Sequence, residues 1–491
     1  MVVPEGGTGQ ATTRTLGIMA GSGVYYNYGS MLGQVTEKDV AVLDEHSLSY
    51  GLDQLIQYER HSKKKNISDI RRLDPPVPML RQLLSLGENR TLPNLRAIVD
   101  VPVIRDSGEV VCTPGYDEVS QLLLRPAVAE FAGVPVRPNR ELIETALSVI
   151  MQPIAEFPFV DAASRTAAFC ALMTAVLRPT IPTAPMFVFD SPVVGAGKTL
   201  LAGAVGALRL GQPAAVLPAV DCDESEMRKR ILANLIEGSG VFAIDNASGH
   251  QRSNALAALL TSSIWSDRVL GQSKLRAALP ARSLVTMTGI NVTFNDDLAR
   301  RHLICRLEPP LRQAARHFDF NPIALILQHR KHLIISAVTL IRARMATHPG
   351  VIGRLASFED WDHRIGRTAA WIGAEFYPQQ FVDPNDMVSA YGATTSDTED
   401  TLLLLDALTS AFRDQWFAAR DVARLLDEGH PDLQLAMRDI TDVRGTTSTK
   451  KIGWHLVRSV DRAVGGSRLR SKSGGQYRSW RVEKLDTVVT S

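Results

Sequence analysis

Cysteine is scarce: four in 491 residues, Cys112, Cys170, Cys222 and Cys305, with no C-x-x-C pair and no histidine pattern nearby. That excludes a disulfide framework and a structural zinc site and leaves the thiols as reduced, structural side chains. Long apolar runs are missing too, none reaching the roughly 18 residues of a bilayer span. The opening residues, MVVPEGGTGQATTR, carry neither the basic nor the apolar region of a secretory leader. The expectation is a cytoplasmic protein without membrane contact. Aromatics are sparse at 6%, and no charge sign dominates, since 54 Lys and Arg against 52 Asp and Glu leave a formal +2. What is present, 45% hydrophobic and 22% charged residues, is the composition of a globular chain of roughly two to four domains. Fibrous, collagen-like and wholly disordered chains are excluded.

The small net charge hides an uneven distribution. Residues 450 to 484 hold ten Lys and Arg against two acids, Asp461 and Glu483, a balance of +8 that leaves about −6 for the rest. The basic charge is concentrated at one end.

Breaks in pattern divide the chain. Residues 1 to about 20, rich in Gly, Thr and small side chains, read as a flexible lead-in, and residues 25–55 mix short strands with a helix before the basic knot Lys63-Lys64-Lys65. Asp74-Pro75-Pro76-Val77-Pro78 ends any helix, because proline lacks an N–H and restricts its predecessor; a helix follows at 79–86. Residues 1–94 thus form an N-terminal region, with an oligomerisation collar as the expected role. Residues 97–112 read as a hairpin around the turn Asp106-Ser107-Gly108, within a small β-unit at 95–135. From 136 to 376, helical periodicity at 141–154 and 162–177 precedes short apolar strands alternating with helices to about residue 304, and helices return at 322–346 and 361–376. Such alternation is the signature of a mostly parallel sheet, so the expected fold class is α/β. Residues 377–400, polar, acidic and proline-containing, read as a linker to a compact module at 401–491.

The most informative segment starts at the apolar strand 186–189. It runs into Asp190-Ser191-Pro192-Val193-Val194-Gly195-Ala196-Gly197-Lys198-Thr199, and helical character resumes from Leu200. Strand, glycine-rich loop and helix make a phosphate-binding loop: glycines let backbone N–H groups turn around phosphate oxygens, and the helix N-terminus favours the anion. In that reading Pro192 to Leu200 cradle the phosphates of ATP, Lys198 reaches the β- and γ-phosphates, and Thr199 ligates Mg²⁺. One departure stands out. The first glycine of G-x-x-x-x-G-K-[ST] is Pro192 here, and proline cannot adopt a positive φ.

A second motif, Val241-Phe242-Ala243-Ile244-Asp245-Asn246, lies 47 positions beyond Lys198 at its acid. An acid at the C-terminal edge of a buried strand is placed to hold Mg²⁺ opposite the loop, which makes Asp245 the second metal ligand. Asn246 stands where a carboxylate commonly orients the attacking water. An amide positions or polarises water but is a poor base, so the alternatives are slow hydrolysis or help from Glu224 or Glu226. A third strand, 283–288, ends at Gly289-Ile290-Asn291, where Asn291 is the candidate to sense the γ-phosphate or the lytic water. Arg300 and Arg301 follow. Their planar, permanently charged forks suit a reach across a subunit interface to a neighbour's γ-phosphate.

At the C-terminal end, helices at 401–413 and 418–426 precede a third at 449–464 that carries Lys450, Lys451, Trp454 and Arg458. A hairpin follows, from Arg468, Arg470 and Lys472 through a turn at 473–475 to Arg478 and Trp480. Three helices and a basic two-stranded wing are the layout of a winged helix-turn-helix. Lys450, Lys451 and Arg458 would then enter a major groove, Arg468, Arg470, Lys472 and Arg478 would meet phosphates, and Trp480 would pack the wing on the core. A protein-interaction module is the competing reading; the +8 balance favours DNA.

The phrases SPVVGAGKTLLA, DESEMRKRILANL, FAIDN, DRVLGQSK and TGIN followed by DLARRHLICRLEP, with Gly115-Tyr116-Asp117 upstream, resemble superfamily 3 helicases of the AAA+ class over residues 95–380. The likeness is to the ATPase region of primase-helicase proteins of phages, plasmids and integrated mobile elements. It implies a homo-oligomeric ring, a hexamer, that hydrolyses ATP with Mg²⁺ and draws single-stranded DNA through its channel, while the C-terminal module binds duplex origin DNA. It also implies a β-hairpin before the third strand whose tip lysine grips the DNA backbone. Residues 267–273 and 281–288 are the expected strands, with Lys274 at the tip, 17 positions before Asn291, and Arg276 beside it. No primase domain is visible upstream, so priming would fall to a separate primase or polymerase. Two rivals stay open: an AAA+ remodeller of protein–DNA complexes that does not unwind, and a DNA-binding regulator with a degenerate ATPase core, suggested by Pro192 and Asn246.

Overall fold

The computed structural model describes residues 1–3, 6–37, 39–64, 67–219, 223–268, 276–309, 319–393, 396–437, 448–461, 463–464, 466–474 and 477–484. Two compact units result, one of Met1–Val292 with Arg301–Val388, the other of Thr293–Arg300 with Ser389–Ser491.

The first unit opens with a helix where the sequence suggested a flexible lead-in. Helix α1 (Thr8–Ser22) is followed by the antiparallel sheet β1 (Tyr25–Tyr28), β2 (Met31–Val35) and β3 (Val40–Val42), then α2 (Glu45–Leu55), the hairpin β4 (Tyr58–Lys64) and β5 (Ile67–Leu73), and α3 (Val77–Ser85). Glycine and threonine make α1 a poor helix in isolation. Burial of Ala11, Leu16 and Met19 in one cluster with Leu48 and Leu52 of α2 and Met79, Leu80 and Leu83 of α3 stabilises it instead. Of the basic knot, Lys63 and Lys64 end β4, with side chains outside the described residues, and Lys65 lies outside them altogether.

Strands β6 (Ala97–Val99), β7 (Val103–Ile104), β8 (Val110–Val111), β9 (Gly115–Asp117) and β10 (Leu122–Leu124) come next. The hairpin is smaller than 97–112. Only β7 and β8 pair around the turn, with Gly108 at φ +80°. Strand β6 pairs with β10 instead, in parallel. Pro102, with no N–H to donate, marks the break between β6 and β7.

Helices α4 (Arg140–Met151) and α5 (Ala162–Leu177) are started by Asn139 and Asp161, whose side chains accept from the N–H groups of Leu142 (2.9 Å) and Ser164 (2.7 Å). The chain then alternates: β11 (Met186–Asp190), α6 (Lys198–Leu210), β12 (Val216–Pro218), α7 (Glu224–Glu237), β13 (Val241–Gln251), α8 (Asn254–Thr261), β14 (Ile264–Arg268), β15 (Arg276–Pro280), β16 (Leu284–Phe294), α9 (Asp296–Ala299) and β17 (His302–Arg306). Five strands form the main sheet in the order β12-β13-β16-β11-β17, parallel at β12–β13, β16–β11 and β11–β17. The α/β expectation is met. All five residues of β11 are buried, as the unbroken apolar run of an interior parallel strand requires. Spatial order departs from chain order, because β16 is inserted between β13 and β11. The C-terminal ends of those three strands thus meet at one edge, where open α/β sheets bind ligands.

Helices α10 (Pro322–Thr347), α11 (Glu359–Trp361) and α12 (Arg367–Glu375) belong to this unit, and the following α13 (Pro384–Ala393) spans its limit. The stretch read as a linker, 377–400, carries α13, and the division between units falls inside it at Val388.

The second unit holds α14 (Ser396–Phe412), β18 (Phe417–Ala418), α15 (Ala419–Asp427), α16 (Pro431–Ala436), α17 (Thr449–Arg458), β19 (Ala463–Val464), β20 (Ser467–Gly474) and β21 (Tyr477–Lys484), with strand order β18-β21-β20-β19. Its core joins Leu404, Leu408, Val422, Leu426, Ile452, Leu456, Leu469 and Trp480. Helix α16 is not marked in the sequence pattern. Helix α17 ends at Arg458 rather than 464, and Asp461 at φ +62° turns the chain toward β19.

Candidate functional site

The loop between β11 and α6 turns through two left-handed glycines, Gly195 at φ +78° and Gly197 at φ +94°. A Cβ on Gly197 would also lie 3.1 Å from the Phe157 ring, so a side chain is opposed there by backbone and by space. Pro192, Val193, Val194 and Gly195 are exposed, Ala196 is buried beneath them, and Leu200 is half-buried on α6. Lys198 folds back into the loop, its Nζ donating to the Val193 carbonyl at 2.8 Å. Burial lowers the pKa of this ammonium, and the carboxylates of Asp190 and Asp245 act in the opposite direction. Lys198 thus stands at the N-terminus of α6 with its ammonium on a loop carbonyl, and a helix N-terminus beside a cation is suited to polyphosphate.

Across the switch point, Thr199 Oγ1 donates to Asp245 Oδ1 at 3.1 Å. A hydroxyl and a carboxylate oxygen side by side are hard donors of the kind Mg²⁺ takes, with phosphate and water filling its other positions. The Thr288 hydroxyl of β16 donates to the same Asp245 Oδ1. It also accepts from the Asn246 N–H at 3.0 Å. Thr288 thereby fixes both the acid and the residue after it, a role the motif reading passed over. The one signal was a pair of threonines, Thr286 and Thr288, in the buried first half of β16, at 1% and 4% exposure.

Asn246 and Asn291 share an unusual backbone. Both take positive φ, +65° and +49°, a conformation asparagine tolerates better than most side chains and one that clusters at functional sites. Between them Gly289 is required by contact, since a Cβ there would meet the Ala247 carbonyl oxygen at 2.7 Å. Asp190, at the end of β11, accepts from the Val292 N–H at 3.2 Å and faces Arg306 at 3.6 Å. It ties the loop strand to both neighbouring strands, and sequence reasoning missed this too.

The carboxylates considered as helpers to Asn246 are committed elsewhere. Glu224 caps α8, accepting from the N–H groups of Asn254 (2.8 Å) and Ala255 (3.0 Å). Glu226 holds Arg230 at 3.0 Å. Arg301 also meets α8, through the Ala257 carbonyl and Thr261 Oγ1 at 3.3 Å. Arg300 is exposed and belongs to the second unit by its contacts.

A hairpin does precede the third strand, but its strands are β14 and β15, with Arg268 opposite Arg276. The expected second strand, 281–288, instead begins the central strand β16. Arg178 pins that turn of chain, donating through Nε to Ser283 O (3.0 Å) and Nη2 to Ala281 O (2.6 Å). Lys274 lies outside the described residues, as does the Arg276 side chain. On β14, opposite Ala277, Asp267 is gripped by Arg228 of α7 with two hydrogen bonds, 3.0 and 2.7 Å.

In the second unit the basic residues divide. Arg468 donates to Glu483 at 2.8 Å, and Arg470 to Glu483 at 3.2 Å and Asp461 at 2.9 Å, which offsets much of their charge. Lys472 sits 4.1 Å and Arg481 5.1 Å from the centre of the Trp416 ring. Arg478, Lys450 and Lys451 are exposed; the Arg458 side chain lies outside the described residues. Trp480 is buried at 3%, as expected, whereas Trp454 is 71% exposed.

Cys170 and Cys305 are buried free thiols whose pKa burial pushes up, and Cys112 is a half-buried one; Cys222 lies outside the described residues. Among the described residues no group of three or more His, Cys, Asp and Glu is placed to hold a metal, and no helix is long and apolar enough to cross a membrane.

No protein-family model matches the chain, and no curated protein matches it. Solved structures similar to it include an apo NrS-1 C-terminal region, at 11% identity over 96% of this chain and 99% of that one, with a TM-score of 0.41. They also include an active helicase, Cch of SCCmec type IV, at 11% identity over 87% and 96% with a TM-score of 0.30. The JCV helicase is similar at 12% identity over 50% and 71%, with a TM-score of 0.22. Likenesses this slight transfer neither activity nor partners to the chain.

Proposed function

We propose that the chain is an ATP-dependent DNA helicase or translocase of superfamily 3 type within the AAA+ class, a homo-oligomeric ring, expected as a hexamer, serving replication of a mobile genetic element. The observation that carries this reading is the 3.1 Å hydrogen bond from Thr199 Oγ1 to Asp245 Oδ1 beside the loop of Lys198. Two motifs 46 positions apart at these residues meet at the C-terminal edge of a parallel sheet, where nucleotides bind.

Thr199 and Asp245 would hold Mg²⁺, which supplies charge neutralisation for a transferring phosphoryl group. Lys198 and the loop amides bind and orient the phosphates. Thr288 holds Asp245 in place, and Asn246 and Asn291 present amides to a water or γ-phosphate. Arg300 and Arg301 are proposed to act on a neighbouring subunit's nucleotide. DNA would be gripped by Lys274 and Arg276 in the ring, with a winged-helix second unit binding DNA through Lys450, Lys451, Arg458, Arg468, Arg470, Lys472 and Arg478. A separate primase or polymerase would complete replication.

The test is ATP hydrolysis with and without single-stranded DNA, for the native chain and Lys198→Ala. Turnover stimulated by DNA and lost in Lys198→Ala, followed by strand displacement on a forked substrate, is the expected result. Turnover without displacement would point to a remodeller of protein–DNA complexes. A second reading has its own support: with Asn246 in place of a carboxylate and Glu224 and Glu226 engaged by α8 and Arg230, no nearby acid is assigned to activate water. A DNA-binding regulator with a degenerate core is the reading left if hydrolysis is absent from both proteins while DNA binding persists.

A further inference from the structure

Helix α17 turns its apolar side inward through Ile452 and Leu456, both fully buried. Its outward side is unusual. Trp454 is 71% exposed there, and Lys450 and Lys451 are exposed one turn before it. Residues three and four apart on a helix are neighbours, so both lysines share the outward face with the indole. Val457, 44% exposed, lies one turn beyond. Trp416 offers a contrast, its ring being covered by Lys472 and Arg481 of the same unit.

We propose that Trp454 is a stacking platform for an unpaired base, so that α17 takes single-stranded DNA or a strand junction rather than a closed duplex. The inference rests on the reading of the second unit as DNA-binding and names the form of DNA it takes. Three considerations lead to it. An indole offers one N–H donor and a large π-face, and a base can meet that face only when it has left its own stack. The two lysines one turn before it supply cations for the phosphates of the same strand. A protein partner fits less well, because lysine is depleted from the cores of protein interfaces. Arg468 and Arg470 are offset by Glu483 and Asp461, whereas the α17 face brings two exposed lysines together with an indole that is 71% exposed.

The experiment uses the full chain and two probes: oligo(dT) carrying one 2-aminopurine, and a blunt mixed-sequence duplex, each read by anisotropy, with 2-aminopurine emission followed on the first. Trp454→Ala is expected to weaken oligo(dT) binding by about 10-fold and to abolish the change in 2-aminopurine emission, with duplex binding unchanged. Trp454→Phe keeps a π-face and should retain most of both signals. Because the side chain is exposed, neither change removes core packing. Equal weakening on both probes, or no weakening on oligo(dT), overturns the proposal. Lys450→Ala with Lys451→Ala separates the two layers. Loss of binding to both probes in that variant upholds the DNA reading even where Trp454→Ala is silent, whereas no loss on either probe sinks the DNA reading of α17 and the stacking proposal with it.

Discussion

At the scale of single residues, Thr288 has the least conspicuous sequence and a central position. Its hydroxyl donates to Asp245 and accepts the Asn246 N–H at 3.0 Å, so one side chain sets the rotamer of the acid and the entry of the chain into a positive φ. Valine has nearly the same shape and neither bond. Thr288→Val is therefore expected to leave the part-buried Asn246 N–H without its partner and free the Asp245 carboxylate to rotate, at about 1 kcal/mol. In steady-state ATPase assays over a Mg²⁺ titration, kcat should fall roughly 10-fold and the Mg²⁺ requirement should rise, with Thr288→Ser restoring both. An unchanged Mg²⁺ requirement would show that Asp245 is held without Thr288. Lys198, Thr199 and Asp245 are legible in the sequence because each sits in a short contiguous motif. Thr288 is not, because its partners are 42 and 43 positions away and reach it only once β16 is inserted beside β13.

At the scale of elements, the parts that sequence pattern conveys are those whose signal is local. The N-caps Asn139 and Asp161 each precede a helix that forms where the periodicity puts it, and Asp223 and Ser253 cap α7 and α8 in the same way. Helix α1 escaped notice because its stability comes from α2 and α3 rather than from its own residues, and the hairpin register escaped because Ala281–Ser283 is tethered by Arg178, a distant side chain. A comparable tether closes the end of the first unit. Asp362, wholly buried, is met by Arg367 Nε at 3.2 Å, and the same guanidinium bonds Asp383. Burial alone would raise the Asp383 carboxyl, but hydrogen bonds from Arg367 and Asn385 hold it below its ordinary value. A depressed carboxyl contributes stability that is complete above its unfolded pKa of about 3.9 and is lost as pH falls through the lower folded value. Thermal melts across pH 2 to 7 should thus show an acid loss that Arg367→Met removes. The same variant strands Asp362 as a buried charge and should cost about 3–5 kcal/mol near neutral pH. A melting profile identical to the native chain's would mean the network contributes nothing to stability.

At the scale of the whole molecule, the question is whether a nucleotide site is complete within one copy. Lys198, Thr199, Asp245 and Thr288 come together in a single chain. Arg301 meets α8 of its own chain, and Arg300 lies at the surface. If a ring forms as proposed, the arginines act on a neighbour's nucleotide, and Arg300 is the member the test removes. An arginine supplied in this way contributes about 10³- to 10⁵-fold to phosphoryl transfer. Arg300→Ala should then lower kcat by about 10³-fold while nucleotide binding stays near native, and Lys198→Ala should abolish binding. Mixing the two inactive proteins decides the matter. Where copies share sites, some interfaces pair an intact Lys198 from one variant with an intact Arg300 from the other, and turnover reappears as the ratio approaches equal amounts. Where each copy is self-sufficient, no ratio restores turnover. Recovery in the mixture would also fix the least number of copies at two, because neither defect is repaired within its own chain.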